Sequence, residues 1–164
     1  MRRVISALSA AAVVLMVVGL AAQASFAGKW TMDPASAPPA GGGGGGRGGR
    51  GGGLGMELTI TQDASTMTIE YMGGGQAPAP VKLVYKLDGS ESKNMMAGRG
   101  GAAPTEQVSK ATRAGNVITV VTTTGFGEQK RTFTLEGGNL VVETTTPGRD
   151  GGAPTAAKVT YKKS

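Results

Sequence analysis

The stretch 129–146 is the feature that most constrains what this chain can fold into. Phe133 and Leu135 alternate with polar residues, a Glu-Gly-Gly-Asn turn follows, and Leu140 and Val142 continue the alternation. Two runs with a period of two residues around a glycine turn are typical of an antiparallel β-hairpin. We therefore predict a hairpin here, and the same pattern recurs along most of the chain after residue 55.

Further short runs have strand character. We predict strands at 25–32, 56–62, 66–71, 81–87, 91–96, 107–113, 117–124 and 157–163. Asp88-Gly89 is predicted to form the turn before the strand at 91–96. No stretch after residue 24 has apolar residues at the spacing of a helix, so we expect no helix in the mature chain.

These elements predict an all-β fold, an antiparallel up-and-down meander of about 8–10 short strands. Such a meander buries one face, and it removes its exposed edges by closing on itself. We expect a small barrel or half-barrel, with a β-sandwich as the alternative. The predicted inward-facing set is Trp30, Leu58, Ile60, Ile69, Leu83, Tyr85, Ile118, Val120, Phe133, Leu135, Leu140, Val142, Val159 and Tyr161.

The N-terminus predicts export. Arg2 and Arg3 precede an apolar run that ends in the small residues Ala22-Gln23-Ala24, which is the pattern of a secretory signal peptide. We expect residues 1–24 to be removed by cleavage after Ala24, in a periplasmic or extracellular protein. The alternative is an uncleaved anchor, because the run is about long enough to span a bilayer.

The mature chain is expected to form one domain. Residues 25–34 supply its first strand, 35–55 a disordered Gly-rich loop, and 56–163 its main part. Arg47 and Arg50 in the loop resemble an RNA-binding Gly/Arg tract, but no Phe or Tyr accompanies them and they follow an export signal. We interpret the segment as a flexible loop and expect no nucleic-acid partner.

Composition excludes most familiar catalytic chemistry. The chain has no histidine and no cysteine, which removes the usual general base, the commonest metal ligands and any disulfide. The acidic residues are scattered over turns and polar strand faces, where solvated charge is the ordinary role. The mature chain would keep 15 basic and 11 acidic residues, a net charge of +4, which favours only weak attraction to anionic envelope polymers. We predict no catalytic residue, no cofactor and no metal.

Aromatic residues are the candidates for a ligand site. Within a small β-domain they either fill the core or line the mouth of a pocket. The residues that could line a ligand are Trp30, Tyr71, Tyr85, Phe133 and Tyr161.

Several motifs together resemble a known type of protein. They are Gly28-Lys29-Trp30 with Asp-Pro after it, Tyr85 to Gly89, Gly115 to Ile118, the run T-F-T-L-x-x-G-x-L-V-V-E-T from Thr132 to Thr144, and V-x-Y-K from Val159 to Lys162. The chain in this respect resembles small exported bacterial all-β proteins of unknown function, loosely lipocalin-like. The resemblance implies export and an all-β domain, and it implies no catalytic residues.

Two functions remain open at this point. One is a non-enzymatic barrel that binds a small apolar or amphipathic ligand, as lipocalin-like layouts do. The other is a structural or interaction module of the cell envelope, with the Gly-rich loops as tethers. After signal cleavage neither function needs a membrane span, and the oligomeric state stays undetermined.

Overall fold

The computed structural model describes residues 24–37, 54–73, 79–96, 103–148 and 152–164. Most of the predicted signal peptide and most of the predicted Gly-rich loop lie outside these ranges. In the described ranges no helix is long and apolar enough to cross a membrane.

The described residues form ten antiparallel strands in one sheet. The strands are β1 (Gly28–Met32), β2 (Glu57–Gln62), β3 (Thr66–Met72), β4 (Pro80–Lys86), β5 (Asp88–Met96), β6 (Thr105–Ala114), β7 (Val117–Thr124), β8 (Gly127–Glu136), β9 (Asn139–Thr146) and β10 (Thr155–Lys163). A single 3₁₀ turn (Pro34–Ser36) follows β1, and the described chain contains no α-helix. The prediction of an all-β fold is thus confirmed.

The sheet closes into a nearly complete barrel. Consecutive strands pair with each other except β4 and β5, and β1 pairs with β10 as well as with β2, so the order is β4-β3-β2-β1-β10-β9-β8-β7-β6-β5. Trp30 of β1 lies opposite Lys163 of β10 and opposite Leu58 of β2. The up-and-down barrel expected from the sequence is therefore the observed architecture, and the sandwich is not.

Closure between β4 and β5 uses side chains instead of a backbone ladder. Asn94 Oδ1 accepts a hydrogen bond from the Val84 backbone N–H (2.7 Å), and Asn94 Nδ2 donates to the Val84 carbonyl (3.1 Å). Ser92 Oγ accepts from the Lys86 N–H (2.8 Å). These two side chains, both buried on β5, replace the missing ladder bonds. We call this junction the seam.

The predicted turn at Asp88-Gly89 is confirmed. The bonds that join Val84 to Asn94 and Lys86 to Ser92 centre the chain reversal on Gly89, and Asp88, the first residue of β5, accepts at Oδ1 from the Ser90 N–H (2.9 Å). The register shifts between Asp88 and Glu91, and Gly89 has a φ of 84° within the irregular stretch. The positive φ of Gly89 therefore serves the predicted turn and also the bulge in the pairing of β5 with β6.

The connections fall at the two ends of the barrel in alternation. At one end lie the short turns at 63–65, 87, 115–116 and 137–138, together with the start of β1; we call it the short-turn end. The connections 33–56, 73–79, 97–104, 125–126 and 147–154 join strands at the opposite end. An up-and-down topology requires this segregation, because consecutive strands run in opposite directions.

The core fills the barrel interior. Of the predicted inward-facing residues, all are buried except Leu135, which is partly buried against the same cluster. Phe26 and Leu54 are also fully enclosed, although one precedes β1 and the other lies in the predicted Gly-rich loop. Both add apolar area that the strand pattern alone does not reveal.

Candidate functional site

A buried arginine lies inside the barrel. Arg131 has the same strand parity as Phe133 on β8, so its side chain faces inward, and only 9% of its surface is exposed. Burying a guanidinium is costly unless polar groups surround it. The region around Arg131 therefore differs from an apolar core, and it is the candidate site.

Two neutral polar side chains, Thr144 and Gln129, are among the partners of the arginine. Its Nε donates to Thr144 Oγ1 (3.3 Å) on β9, the residue directly opposite in the ladder. Its Nη2 reaches Gln129 Oε1 (3.5 Å), and the amide of Gln129 donates to Thr146 Oγ1 (3.3 Å). The guanidinium is thereby fixed in orientation by two strands.

Three buried tyrosines, on β3, β4 and β10, lie near enough to the arginine for its charge to act on them. Burial raises the pKa of Tyr71, of Tyr85 and of Tyr161, in the last case to about 12, while the charge of Arg131 opposes the rise in each. The Arg131 guanidinium also lowers the pKa of Tyr85 through a hydrogen bond. All three hydroxyls are consequently protonated near neutral pH. The Tyr161 hydroxyl is close to the Gly55 carbonyl (3.1 Å), to which it donates.

The interior wall is amphipathic. Within the described ranges the buried polar or charged residues all come from β5 to β9, and they are Ser92, Asn94, Ser109, Thr122, Arg131 and Thr144. Ser109 and Thr122 share a buried hydrogen bond of 2.8 Å between their hydroxyls. The strands β1 to β4 and β10 contribute apolar residues and the three tyrosines. The buried polar side chains are therefore confined to one arc of the wall, where they lie among apolar ones, and the other arc is apolar or aromatic.

The five residues predicted to line a ligand are all buried in the interior, but only three come together. Tyr71, Tyr85 and Tyr161 lie near Arg131. Trp30 instead donates from Nε1 to the Phe26 carbonyl (2.9 Å), and Lys163 lies over its ring. Phe133 lies opposite Ile118 and Val142 in the aliphatic part of the wall. Whether any of the five contacts a ligand stays a prediction.

The strand parity of the sequence distinguishes Arg131. Alternation places Arg131 two residues before the inward Phe133 and Thr144 two residues after the inward Val142. A charged residue on the inward parity of a strand is unusual, because arginine is almost never fully buried without partners. Parity therefore could have singled it out.

The acidic residues and the two surface cavities described below lie away from Arg131. Nine of the ten described acidic residues are exposed and Asp33 is partly buried, and the described residues contain no group of three that could hold a metal ion. Two surface cavities of about 190 and 180 Å³ flank Gln62 and Asp63 at the short-turn end. Neither of them includes Arg131 or the tyrosines.

Known proteins share the fold. No protein-family model matches the sequence, and comparison with curated proteins found no match. Among solved structures, zebrafish ileal bile acid-binding protein complexed with cholic acid is 20% identical, with a TM-score of 0.59 over 85% of this chain and 98% of that chain.

Two further barrels are similar. A mutant of the fluorescent protein UnaG is 21% identical, with a TM-score of 0.56 over 85% of this chain and 96% of that one. A mutant of the REP1-NXSQ fatty acid transporter is 11% identical, with a TM-score of 0.54 over 84% and 97%. At these identities the likeness establishes the fold alone, an antiparallel β-barrel that this chain shares with the three proteins.

Proposed function

We propose that the protein is an exported, non-enzymatic carrier that binds one small amphipathic molecule with an anionic head group inside the barrel. The observation that carries the proposal is the buried Arg131, which belongs to the arc with the buried polar side chains and acts electrostatically on three tyrosines. The proposal includes export, for which the support is the signal-like N-terminus.

The head group is proposed to bind at Arg131. A guanidinium matches a carboxylate or sulfonate in shape and charge, and hydrogen bonds between ionised partners are stronger than neutral ones. Burial raises the pKa of Tyr85, so its hydroxyl stays protonated and can donate to an anion. The interior therefore offers one positive charge and neutral donors, which suits a single negative charge.

The apolar part of the ligand is proposed to contact the opposite arc. Ile69, Leu83 and Tyr85 lie there on β3 and β4, next to the seam. These side chains are packed in the structure described, so binding would require the wall to move outward. The seam is the part of the wall with the fewest backbone bonds, and it is where we expect that movement.

The similar structures support the same kind of ligand. Two of them are described as a bile acid-binding protein and a fatty acid transporter, and both ligand names denote amphipathic acids. This support is by fold only, since binding function resides in particular residues.

The experiment compares matched ligands and matched variants. Mature residues 25–164 are titrated with hexadecanoate and with hexadecanol, using Trp30 fluorescence and native mass spectrometry. We expect the carboxylate to bind at least about tenfold more tightly, since a charged hydrogen bond contributes about 1.5–3 kcal/mol. Arg131→Gln should abolish that preference. Lys130→Gln should preserve it, because Lys130 is the exposed neighbour on the same strand.

The second candidate is the envelope module with Gly-rich tethers. The observation in its favour is the close packing of the interior, where Ile69, Ile118 and Phe133 have no exposed surface. If neither ligand binds, or if hexadecanol binds as tightly as hexadecanoate and Arg131→Gln changes nothing, the carrier proposal is wrong. An absence of any adduct or fluorescence response would make the module the leading function.

A further inference from the structure

The first described residues close the short-turn end of the barrel. Phe26 is completely buried, although it precedes β1 and belongs to no strand. Its carbonyl accepts from Trp30 Nε1 (2.9 Å), and its N–H donates to Gln62 Oε1 (2.9 Å). Arg113 lies over its ring, with 6.0 Å between the guanidinium carbon and the ring centroid. We call residues 24–27 the N-terminal plug.

The plug includes the bond at which signal cleavage is predicted. Arg113 Nη2 donates a hydrogen bond to the carbonyl oxygen of Ala24, and Arg113 Nε donates to the Gly115 carbonyl (3.2 Å). On the other side of the bond, Ser25 Oγ accepts from the Ala27 N–H (3.2 Å). The adjacent surface cavity of about 190 Å³ is lined by Ser25, Gln62, Asp63, Ala64 and Arg113.

From these contacts we infer that the folded barrel protects the Ala24–Ser25 peptide bond, so that the signal is removed only before the barrel closes. A peptidase must bind the Ala24 carbonyl oxygen in its own oxyanion hole, and this oxygen is engaged by Arg113. It must also hold the flanking residues, yet Phe26 is enclosed in the core two positions beyond Ala24. Cleavage of the folded chain therefore requires the plug to detach first.

If the folded barrel protects the bond, the order of cleavage and folding decides which of two products the chain becomes. Hydrolysis adds one water molecule across the bond, which leaves a carboxylate on Ala24 and an ammonium group on Ser25. A chain that is cleaved while still unfolded becomes a free barrel. A chain that folds first keeps residues 1–24 and stays attached to the membrane by them. The inference rests on the predicted cleavage position and does not depend on ligand binding.

The test compares the bond in two settings, the folded chain and a short peptide. The folded full-length chain, in detergent micelles, and a synthetic peptide of residues 16–30 are incubated with bacterial signal peptidase, and the products are identified by mass spectrometry. We expect the peptide to be cleaved after Ala24 and the folded chain to be cleaved at least about a hundredfold more slowly, because only transiently detached molecules are substrates. Equal rates for the folded chain and the peptide would refute the protection. An uncleaved peptide would refute the processing position itself.

Variants separate protection by the plug from general stability. Arg113→Ala should speed cleavage of the folded chain about tenfold, because it frees the Ala24 carbonyl and removes the contact with Phe26. Lys110→Ala is the control, since Lys110 is exposed on the same strand and its ion pair with Glu91 lies at the surface. Thermal melts of both variants confirm that they are folded.

A second variant checks the plug residue itself. Phe26→Ser should accelerate cleavage of the full-length chain, while the corresponding peptide should be cleaved at the rate of the parent peptide. Hydrogen exchange at the Phe26 amide reports the same detachment in the parent chain without any substitution. If Arg113→Ala and Lys110→Ala are cleaved at the same rate, the contacts described do not protect the bond.

Discussion

The hydrogen bonds of the seam between β4 and β5 allow the stability loss of Asn94→Ala to be predicted. Asn94→Ala removes two hydrogen bonds to the Val84 backbone at once, of 2.7 and 3.1 Å. A polar group left without its partner costs about 1–3 kcal/mol when it is buried. Val84 is 37% exposed, so water can partly replace Asn94 and each group should cost about 1 kcal/mol, near the lower limit. We therefore expect the free energy of unfolding to fall by about 2 kcal/mol.

The location of the effect is as diagnostic as its size. Val84 and Lys86 direct their N–H groups toward β5, whereas the N–H of Tyr85, between them in an edge strand, is directed toward β3. Hydrogen exchange in Asn94→Ala should accelerate most at Val84, while Tyr85 should change only as much as global stability changes. Chemical denaturation gives the total loss, and residue-resolved exchange gives its position.

Met95→Ala is the matched control for the seam. Met95 is the next residue on the same strand, is 59% exposed and faces the outside of the barrel, so its replacement should change stability by less than about 0.5 kcal/mol. If Asn94→Ala is as stable as Met95→Ala, the side-chain bonds do not hold the seam. If the amides of Val84 and Tyr85 accelerate equally, the loss is not local and the argument from edge-strand geometry is wrong.

Three further predictions follow from burial and charge. Burial raises the pKa of Tyr161 from 10.0 to about 12, so its contribution to the free energy of unfolding is fully present below pH 10. As the pH rises from 10 to 12, the free energy of unfolding should fall by about 3 kcal/mol in alkaline denaturation. The variant Tyr161→Phe should lack this fall. Leu54→Ala should lower stability by about 2–4 kcal/mol, measured by urea unfolding, because Leu54 is 2% exposed in the core; a loss below 0.5 kcal/mol would place it outside the core. The hydrogen bond from Lys162 lowers the pKa of Asp33, so Lys162→Ala should raise that pKa toward its usual value in an NMR titration, and an unchanged Asp33 would contradict the ion pair.

The strands were predictable because their physical signal is local. Alternation, β-branching and turn residues act within a few positions, and so the hairpin at 129–146 appears in the structure as β8 and β9, joined at the positive-φ residues Gly137 and Gly138. Phe26 was not distinguished in the same way. Its burial depends on Gln62 and Arg113, which are 36 and 87 residues away in the chain, and no local pattern encodes such contacts.

The amphipathic interior shows why the site was harder to predict than the fold. Strand periodicity predicts which residues face inward, but it does not predict which side chains they contact inside the barrel. Arg131 shares its parity with Phe133, and only closure of the barrel brings tyrosines from β3, β4 and β10 toward it. A barrel needs no charge in its interior in order to fold, since an apolar side chain of similar volume at such a position is often neutral or stabilising. Stability of the wall therefore does not explain the arginine, and this is why the proposed anionic head group is placed at Arg131.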